Sequence, residues 1–292
     1  MKSDWFLKIF LVMISSATTG AVINDVNADS IEYARAVASQ DTYQILFIGN
    51  SHSSANGLPG LVATMIEAGL PGSSAAAELA TGFGYLSDRL DDGVTQQSLE
   101  SSAWSHVVLQ AQKYSTSGLY FYPTDAAEEW IRRVRARNAQ PMLFPEWPRK
   151  GNTEEGPRIH ELHLGIAARE PACVAPVGLA WEESIRTYPS LELHADDGNH
   201  SNINGAMLTA YVFYQLITGQ SATGLPYIQG IDVSEDIQQK LAGVASVIVN
   251  DNRSTCLGMA TASDPRIPTL GYWALFALAL SLIVTGWPVL RK

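Results

Sequence analysis

The chain has 292 residues, of which 46% are hydrophobic and 16% are charged. One domain of roughly 230 residues is enough to account for the core that such a composition can bury. Acidic side chains outnumber basic ones by 29 to 19, for a formal net charge of -10, which argues against a nucleic-acid partner because phosphate binding needs a basic surface.

The first 28 residues have the composition of a secretory signal peptide. Lysines surround the start of an apolar run at residues 9–14, and Val26-Asn27-Ala28 offers a small-x-small cleavage site. We therefore expect an exported protein whose folded domain begins at residue 29. The alternative interpretation is an N-terminal anchor helix.

A serine follows the first predicted strand of that domain. Residues 45–48 form a short apolar run that Gly49 stops, which predicts a strand buried on both faces of a parallel sheet. An amphipathic segment follows at residues 58–68, so Ser51 lies where a strand turns into a helix. Open sheets hold their ligands at this edge, near the positive ends of helices. Ser51 is therefore a candidate nucleophile, although an ordinary tight turn has the same pattern.

Strands and helices alternate along the rest of the domain, which predicts an α/β fold with a central parallel sheet. The further strands are predicted at residues 74–79, 107–110, 141–144 and 174–177. Helices are predicted over residues 125–138, 180–188 and 202–218.

Two side chains near the predicted active edge of the sheet need an assignment. Trp147 lies in the exit loop of the strand at residues 141–144, and an aromatic surface there can line a substrate cleft. His52 directly follows Ser51, and alternation along a turn directs it elsewhere.

A second motif, Asp-Gly-Asn-His, lies far down the chain at residues 197–200. Asp197 and His200 are three residues apart, so a single turn lets the carboxylate reach the imidazole and fix its tautomer. Asp196 is an alternative partner. With Ser51, these residues supply the roles of a Ser-His-Asp triad.

The sequence indicates no metal site. Cys173 and Cys256 are the only cysteines, and in an exported protein they can form a disulfide; two unpaired thiols are the alternative. His160 and His163 do not have the zinc-protease spacing, and no third ligand accompanies them.

The C-terminal segment, residues 263–292, predicts a transmembrane helix. Residues 271–287 contain no charge, and a helix over residues 270–290 is about 31 Å long, close to the ~30 Å hydrocarbon core. Arg291 and Lys292 follow, which places the C-terminus in the cytoplasm by the positive-inside rule.

The two serine-hydrolase motifs together resemble those of the SGNH (GDSL-like) hydrolase superfamily. Gly49-Asn50-Ser51 resembles its early Gly-Asp-Ser block, and residues 197–200 resemble its late Asp-x-x-His block. The resemblance covers residues 43–225 and implies a three-layer α/β/α sandwich of the SGNH or flavodoxin-like type. It also implies ester hydrolysis without a cofactor by Ser51, His200 and Asp197.

The resemblance also implies an oxyanion hole. A glycine of the second block donates a backbone N–H in this superfamily, and Gly84 or Gly82 matches that role. The asparagine of the Gly-x-Asn-Asp block is absent here. A glutamine amide can donate the same hydrogen bond, so Gln112 or Gln110 is the expected substitute.

The C-terminal segment resembles an IPTL-type sorting signal, a relative of the PEP-CTERM signals. It contains the motif Ile267-Pro268-Thr269-Leu270, a hydrophobic segment and a basic end. This resemblance implies processing by an exosortase-like membrane enzyme. It also implies anchoring in the inner membrane, at least transiently, and sorting to the cell envelope or surface.

The expected organisation is therefore a signal peptide at residues 1–28, a hydrolase domain at residues 29–262 and a sorting signal at residues 263–292. The expected activity is that of an exported serine esterase, with an O-acetylated or O-acylated carbohydrate as a hypothetical substrate. A degenerate carbohydrate-binding relative and an acyltransferase that uses the same triad are the alternatives.

Overall fold

The computed structural model of the protein describes residues 42–257. The predicted signal peptide at residues 1–28 and the predicted sorting signal at residues 263–292 lie outside the described residues. Within residues 42–257, every helix falls short of the length or the apolar character that crossing a membrane requires.

A five-stranded sheet forms the centre of the fold, and every neighbouring pair of its strands is parallel. The spatial order of the strands is β2-β1-β3-β4-β5. The strands are β1 (Thr42–Ile48), β2 (Ser74–Leu79), β3 (His106–Leu109), β4 (Gln140–Leu143) and β5 (Cys173–Val174). The predicted α/β class with a central parallel sheet is confirmed.

Helices connect the strands and cover both faces of the sheet. They are α1 (Ser51–Ser54), α2 (Leu58–Gly69), α3 (Gly93–Glu100), α4 (Asp125–Ala136), α5 (Glu155–Arg169), α6 (Val177–Thr187), α7 (Ile203–Thr218), α8 (Glu235–Asn252) and α9 (Ser254–Leu257). The fifth strand is shorter than the predicted strand at residues 174–177, because α6 begins at Val177.

Two hydrophobic cores lie on the two faces of the sheet, and β1 contributes to both. Ile45 and Phe47 pack with α2, α6, α7 and α8, whereas Leu46 and Ile48 pack with α3, α4 and α5. Successive side chains of a strand point to opposite faces, which is why a continuous apolar run rather than an alternating one marks this strand.

The strand order defines where the loops gather. The chain moves from β1 outward to β2 and then returns to place β3 on the other side of β1, so the order reverses between β1 and β3. In doubly wound folds ligands bind outside the carboxyl ends of the strands at such a point. Ser51 follows β1 and Gln110 follows β3 directly, so both lie at this edge.

A disulfide joins the last strand to the last described helix. Cys173 in β5 and Cys256 in α9 are bonded across a sequence separation of 83 residues. Beside it, the backbone N–H of Val174 donates to Oγ1 of Thr255 at 3.1 Å. The C-terminal part of the domain is thereby attached to the edge of the sheet.

We expect the double substitution Cys173→Ser and Cys256→Ser to lower the free energy of unfolding by about 3–4 kcal/mol, because the crosslink closes a long loop in the unfolded chain. Urea denaturation of the full chain measures this. A reductant should shift the wild type toward the double variant and leave the double variant unchanged. Equal midpoints for the oxidised wild type and the double variant would contradict the expectation.

Candidate active site

The turn after β1 presents Ser51 at the start of a short helix. Asn50 caps α1, since its side-chain oxygen accepts the backbone N–H of His52 at 3.0 Å. The backbone N–H of Asn50 itself donates to Oε1 of Gln110 at 2.7 Å. Ser51 is the first residue of α1, and its own N–H has no hydrogen-bond partner among the described residues. That N–H is therefore available to a ligand.

Ser51, His200 and Asp197 form one chain of hydrogen bonds. Nε2 of His200 lies 2.8 Å from Oγ of Ser51, although the two residues are 149 positions apart in sequence. Nδ1 of His200 lies 2.6 Å from Oδ2 of Asp197. A carboxylate accepts only, so Nδ1 carries the hydrogen and Nε2 of the neutral ring is free to accept the serine proton.

The Asp197 carboxylate is fixed by its own loop. Its Oδ1 accepts the backbone N–H groups of Asn199 and His200, each at 2.9 Å. The hydrogen bond from the His200 side chain lowers the pKa of Asp197 well below its ordinary value, and the two backbone N–H groups lower this pKa further. Asp197 is therefore ionised at neutral pH and orients the imidazole.

Two side chains from elsewhere in the fold hold the His200 loop in place. The amide of Asn56 donates to the backbone oxygen of Ser201 at 2.8 Å, and the indole N–H of Trp147 donates to the backbone oxygen of Asn199 at 2.8 Å. Asn56 adopts a positive φ of 52°, a conformation that asparagine tolerates better than most residues. The loop is thus attached to both the β1 and the β4 sides of the active edge.

The position of Trp147 corrects the expectation that it lines a substrate cleft. Its side chain is buried, with 2% relative exposure, and it stacks on Trp181 with ring centroids 4.5 Å apart. Burial of a large aromatic surface is more favourable than exposure, and its N–H finds a partner in the His200 loop. Trp147 is a buried residue that holds the His200 loop through its indole N–H, and it does not face solvent.

The two glutamines proposed for the oxyanion hole are engaged elsewhere. Oε1 of Gln110 accepts the Asn50 N–H and the hydroxyl of Ser53, and its amide nitrogen donates to Glu146. The amide nitrogen of Gln112 donates to the backbone oxygens of Lys113 and Pro123, both at 2.9 Å. Both N–H groups of Gln112 are used in this way, which corrects its assignment as an oxyanion donor, and Gln110 shapes the turn that carries Ser51.

The glycines of the second block, Gly82 and Gly84, both have positive φ values, 101° and 125°. Neither backbone N–H has a hydrogen-bond partner among the described residues. Nη2 of Arg89 donates hydrogen bonds to the carbonyl oxygens of both Gly82 and Gly49. Gly82 is thereby linked to the turn that carries Ser51. A side chain at Gly84 would approach the Asp88 carboxylate within 3.1 Å. A Cβ at Gly82 would lie 3.0 Å from the Asp92 carboxylate but also 3.2 Å from the Arg89 guanidinium, whose positive charge makes Gly82 the better place for an oxyanion.

His52 belongs to the site, although alternation along a turn predicted that it would point elsewhere. Its ring stacks on that of His200 with centroids 5.0 Å apart and lies equally close to the Trp147 ring. Its Nε2 lies 3.9 Å from a carboxylate oxygen of Glu146. The expectation assumed an irregular turn, whereas the helix begins at Ser51 and rotates the next side chain inward.

A buried acidic network lies behind His52. The hydroxyl of Tyr114 lies 3.2 Å from Glu146 and 3.2 Å from Glu155, and both carboxyl groups are buried. Burial first, and the two carboxylates next, raise the pKa of Tyr114 far above its ordinary value. Tyr114 therefore keeps its proton and donates it within this network. Sequence spacing gave no signal for these contacts, which join two loop residues to the first residue of α5.

Residues 42–257 contain no group of three or more histidine, cysteine or acidic side chains placed to hold a metal ion. The candidate site consists of the triad, the free N–H groups of Ser51 and Gly82, and the buried residues that hold them.

Comparison with known proteins finds solved structures with a similar fold. No family model matches the chain, and no curated protein matches it. Among solved structures, it is similar to a protein from Slackia heliotrinireducens that is classed provisionally as an SGNH hydrolase, with 24% identity and a TM-score of 0.50, over 61% of this chain and 100% of that one. It is also similar to a DUF4886 family protein from Bacteroides uniformis, with 16% identity and a TM-score of 0.58, over 72% of this chain and 95% of that one. At these identities the likeness is one of fold.

Proposed function

We propose that the protein is a serine hydrolase that cleaves an ester, with Ser51 as nucleophile, His200 as general base and acid, and Asp197 as the group that orients His200. The observation that carries this proposal is the continuous hydrogen-bond chain from Oγ of Ser51 through His200 to Asp197, at 2.8 and 2.6 Å. An α/β fold similar to that of an SGNH-type protein supports it.

The first half of the reaction forms an acyl-enzyme. Oγ of Ser51 attacks the ester carbonyl carbon while its proton moves to Nε2 of His200. The carbonyl oxygen becomes an oxyanion, which the free N–H groups of Ser51 and Gly82 stabilise. The carbon–oxygen bond to the alcohol then breaks, and the alcohol leaves with the proton that His200 had taken.

The second half of the reaction restores the serine. A water molecule takes the place of the alcohol, gives one proton to Nε2 of His200, and attacks the acyl carbon of the Ser51 ester. The second oxyanion collapses, the bond to Oγ breaks, and His200 returns the proton to Ser51. The products are one carboxylic acid and one alcohol, and no cofactor takes part.

The proposed substrate is a short acyl or O-acetyl ester on a carbohydrate. The triad is open to solvent, since the side chains of His200 and Asp197 retain 33% and 50% of their exposure, and an open site admits a bulky alcohol component such as a polysaccharide. The proposed export, membrane anchoring and processing by an exosortase-like enzyme would bring the protein to envelope polysaccharides. These steps rest on the sequence signals at the two ends of the chain.

We expect Asp197→Asn to lower kcat by about 10²- to 10⁴-fold, because an amide stabilises the wrong tautomer of the base and does not stabilise the imidazolium. Asp196→Asn is the matched control, because this neighbouring carboxylate is exposed and is not hydrogen-bonded to His200. Initial rates of ester hydrolysis at neutral pH measure both. A larger loss in Asp196→Asn than in Asp197→Asn would reverse the assignment.

The proposed function is tested by incubating the full chain with a panel of esters and measuring acid release. The panel contains 4-nitrophenyl acetate, butyrate and decanoate, an O-acetylated oligosaccharide, and an acyl thioester. We expect the oxygen esters with short acyl groups to be cleaved fastest. Transfer of the acyl group to an added sugar in excess of hydrolysis would identify an acyltransferase. Binding of the oligosaccharide without any turnover would identify a binding protein and reject the proposal.

A further inference from the structure

Arg89 is a buried cation next to the turn that carries Ser51. Its side chain has 0% relative exposure, and no carboxylate of the described residues forms an ion pair with it. Burial lowers the pKa of Arg89 from its ordinary value, and the nearby charge of Asp92 opposes that change. An arginine stays protonated in proteins, so a full positive charge is enclosed here. Such a charge is costly to bury unless its N–H groups are hydrogen-bonded.

The two terminal nitrogens of the guanidinium meet this requirement by joining two loops, whereas Nε has no hydrogen-bond partner among the described residues. Its Nη2 donates to the backbone oxygens of Gly49 at 2.5 Å and Gly82 at 2.7 Å. Its Nη1 donates to the backbone oxygen of Thr81 at 3.1 Å and to the hydroxyl of Thr95 at 2.9 Å. One planar group therefore holds the exit turn of β1 against the loop that follows β2.

These contacts determine the direction of the N–H groups in the peptides whose carbonyls bind Arg89. The described residues contain no cis peptide bond, and in a trans peptide the C=O and the N–H point in opposite directions. The carbonyls of Thr81 and Gly82 both face Arg89. The N–H groups of the same two peptides, which belong to Gly82 and Phe83, must therefore point away from the guanidinium. Neither has a hydrogen-bond partner among the described residues.

We propose that Arg89 is a positioning residue for the oxyanion hole, which holds the N–H groups of Gly82 and Phe83 beside that of Ser51. This inference rests on the proposed function. It adds the Phe83 N–H as a third donor and assigns the alignment of the hole to a side chain that never touches the substrate.

The surroundings of Gly82 agree with this role. A side chain at this position would lie 3.0 to 3.2 Å from the side chains of Asp92, Arg89 and Thr95, and its φ of 101° is one that other residues rarely adopt. Only glycine lets the loop approach the guanidinium so closely. Lysine cannot replace Arg89, because a single ammonium lacks the planar fork that reaches both loops at once.

The first test compares Arg89→Lys with wild type in the full chain. Active-site titration with a fluorophosphonate corrects for any unfolded fraction, and kcat and KM are then measured on a 4-nitrophenyl ester. We expect kcat per titrated site to fall by about 10²-fold with KM within about threefold, since oxyanion donors act in the transition state. A boronic acid that forms a tetrahedral serine adduct should lose affinity by a similar factor.

Arg133→Lys is the matched control. Arg133 is partly buried and donates to the backbone oxygen of Leu90, but it contacts neither the Gly49 turn nor the Gly82 loop. We expect its kcat to stay at the wild-type value. An Arg89→Lys protein with wild-type kcat and boronate affinity per titrated site would overturn the inference, as would equal losses in the two lysine variants.

A second pair of variants tests the donor itself and does not depend on the stability of an Arg89 variant. Phe83→Pro deletes the backbone N–H, whereas Phe83→Ala removes the ring and keeps the N–H; the side chain is 74% exposed, so both changes are compatible with the core. We expect kcat of Phe83→Pro to lie about 10²-fold below that of Phe83→Ala. Equal values would reject the third donor. A wild type inactive toward both ester and fluorophosphonate would reject the proposed function and this inference together, whereas active wild type with unaffected variants would reject this inference alone.

Discussion

Replacing Ser51 by alanine is expected to lower kcat for ester hydrolysis by about 10⁴- to 10⁶-fold, because the nucleophile of a serine triad has no substitute. The substitution removes only the Oγ that lies 2.8 Å from His200. Ser51 is only half-buried, and its Oγ has no hydrogen-bond partner other than His200 among the described residues, so the fold should be retained. Initial rates on the ester that the wild type cleaves fastest, with thermal unfolding recorded in parallel, measure both effects.

Ser54→Ala is the control for this experiment. Ser54 lies in the same short helix and is exposed, and its hydroxyl donates to the backbone oxygen of Ser51 at 3.3 Å. It is not hydrogen-bonded to His200. We expect Ser54→Ala to keep nearly all of the activity. An active Ser51→Ala protein would show that another group carries out the reaction.

Replacing His200 by alanine should lower kcat by a similar factor, about 10⁴- to 10⁶-fold, because the serine then has no base. The double variant Ser51→Ala with His200→Ala should be no slower than either single variant, since the two residues act as one unit. Rates of all three variants, measured on the same ester and compared with the uncatalysed rate, test this non-additivity.

His106→Asn serves as the histidine control. His106 begins β3, at the opposite edge of the sheet from Ser51. Burial lowers its pKa to about 4, so this side chain is neutral at pH 7, as is the asparagine that replaces it. We expect little change in kcat.

Losses from Ser51→Ala and His200→Ala that multiply in the double variant would indicate two independent roles and would contradict a triad.

The parts of the fold that follow from local pattern could be predicted from the sequence. The apolar run at residues 45–48 and the alternating segment pattern predicted a parallel sheet, and β2 has the expected bounds, Ser74–Leu79. Such runs are recognisable because a strand buried on both faces must be apolar throughout. The motifs at Ser51 and at residues 197–200 could also be found, because a strand-to-helix serine and an Asp-x-x-His turn are local patterns. The structure brings these two distant motifs within hydrogen-bond distance.

The directions of individual side chains could not be predicted, because they depend on partners that are distant in sequence. Trp147 is buried because it stacks on Trp181 and donates a hydrogen bond to the backbone of the His200 loop. Gln112 is held by the backbone oxygen of Pro123, and His52 lies between His200 and Trp147. None of these neighbours is visible in a pattern of spacing and polarity.

Arg89 shows the same limit most clearly. In sequence it lies between Asp88 and Leu90, and two more aspartates follow, so the stretch is typical of an exposed surface arginine. In the fold it is fully buried, and its partners are mainly backbone carbonyls. Backbone acceptors carry no residue identity, so no pairing of charges in the sequence could have indicated them.

The most direct test of the central claim, that Ser51 is the nucleophile, is covalent labelling with a fluorophosphonate followed by peptide mass spectrometry. The expected result is one adduct per chain on the peptide that contains Ser51, with no adduct in Ser51→Ala and much slower labelling in His200→Ala. Fragmentation of the peptide separates Ser51 from Ser53 and Ser54. An adduct on one of those neighbours, or no adduct in a wild type that hydrolyses esters, would contradict the proposed mechanism.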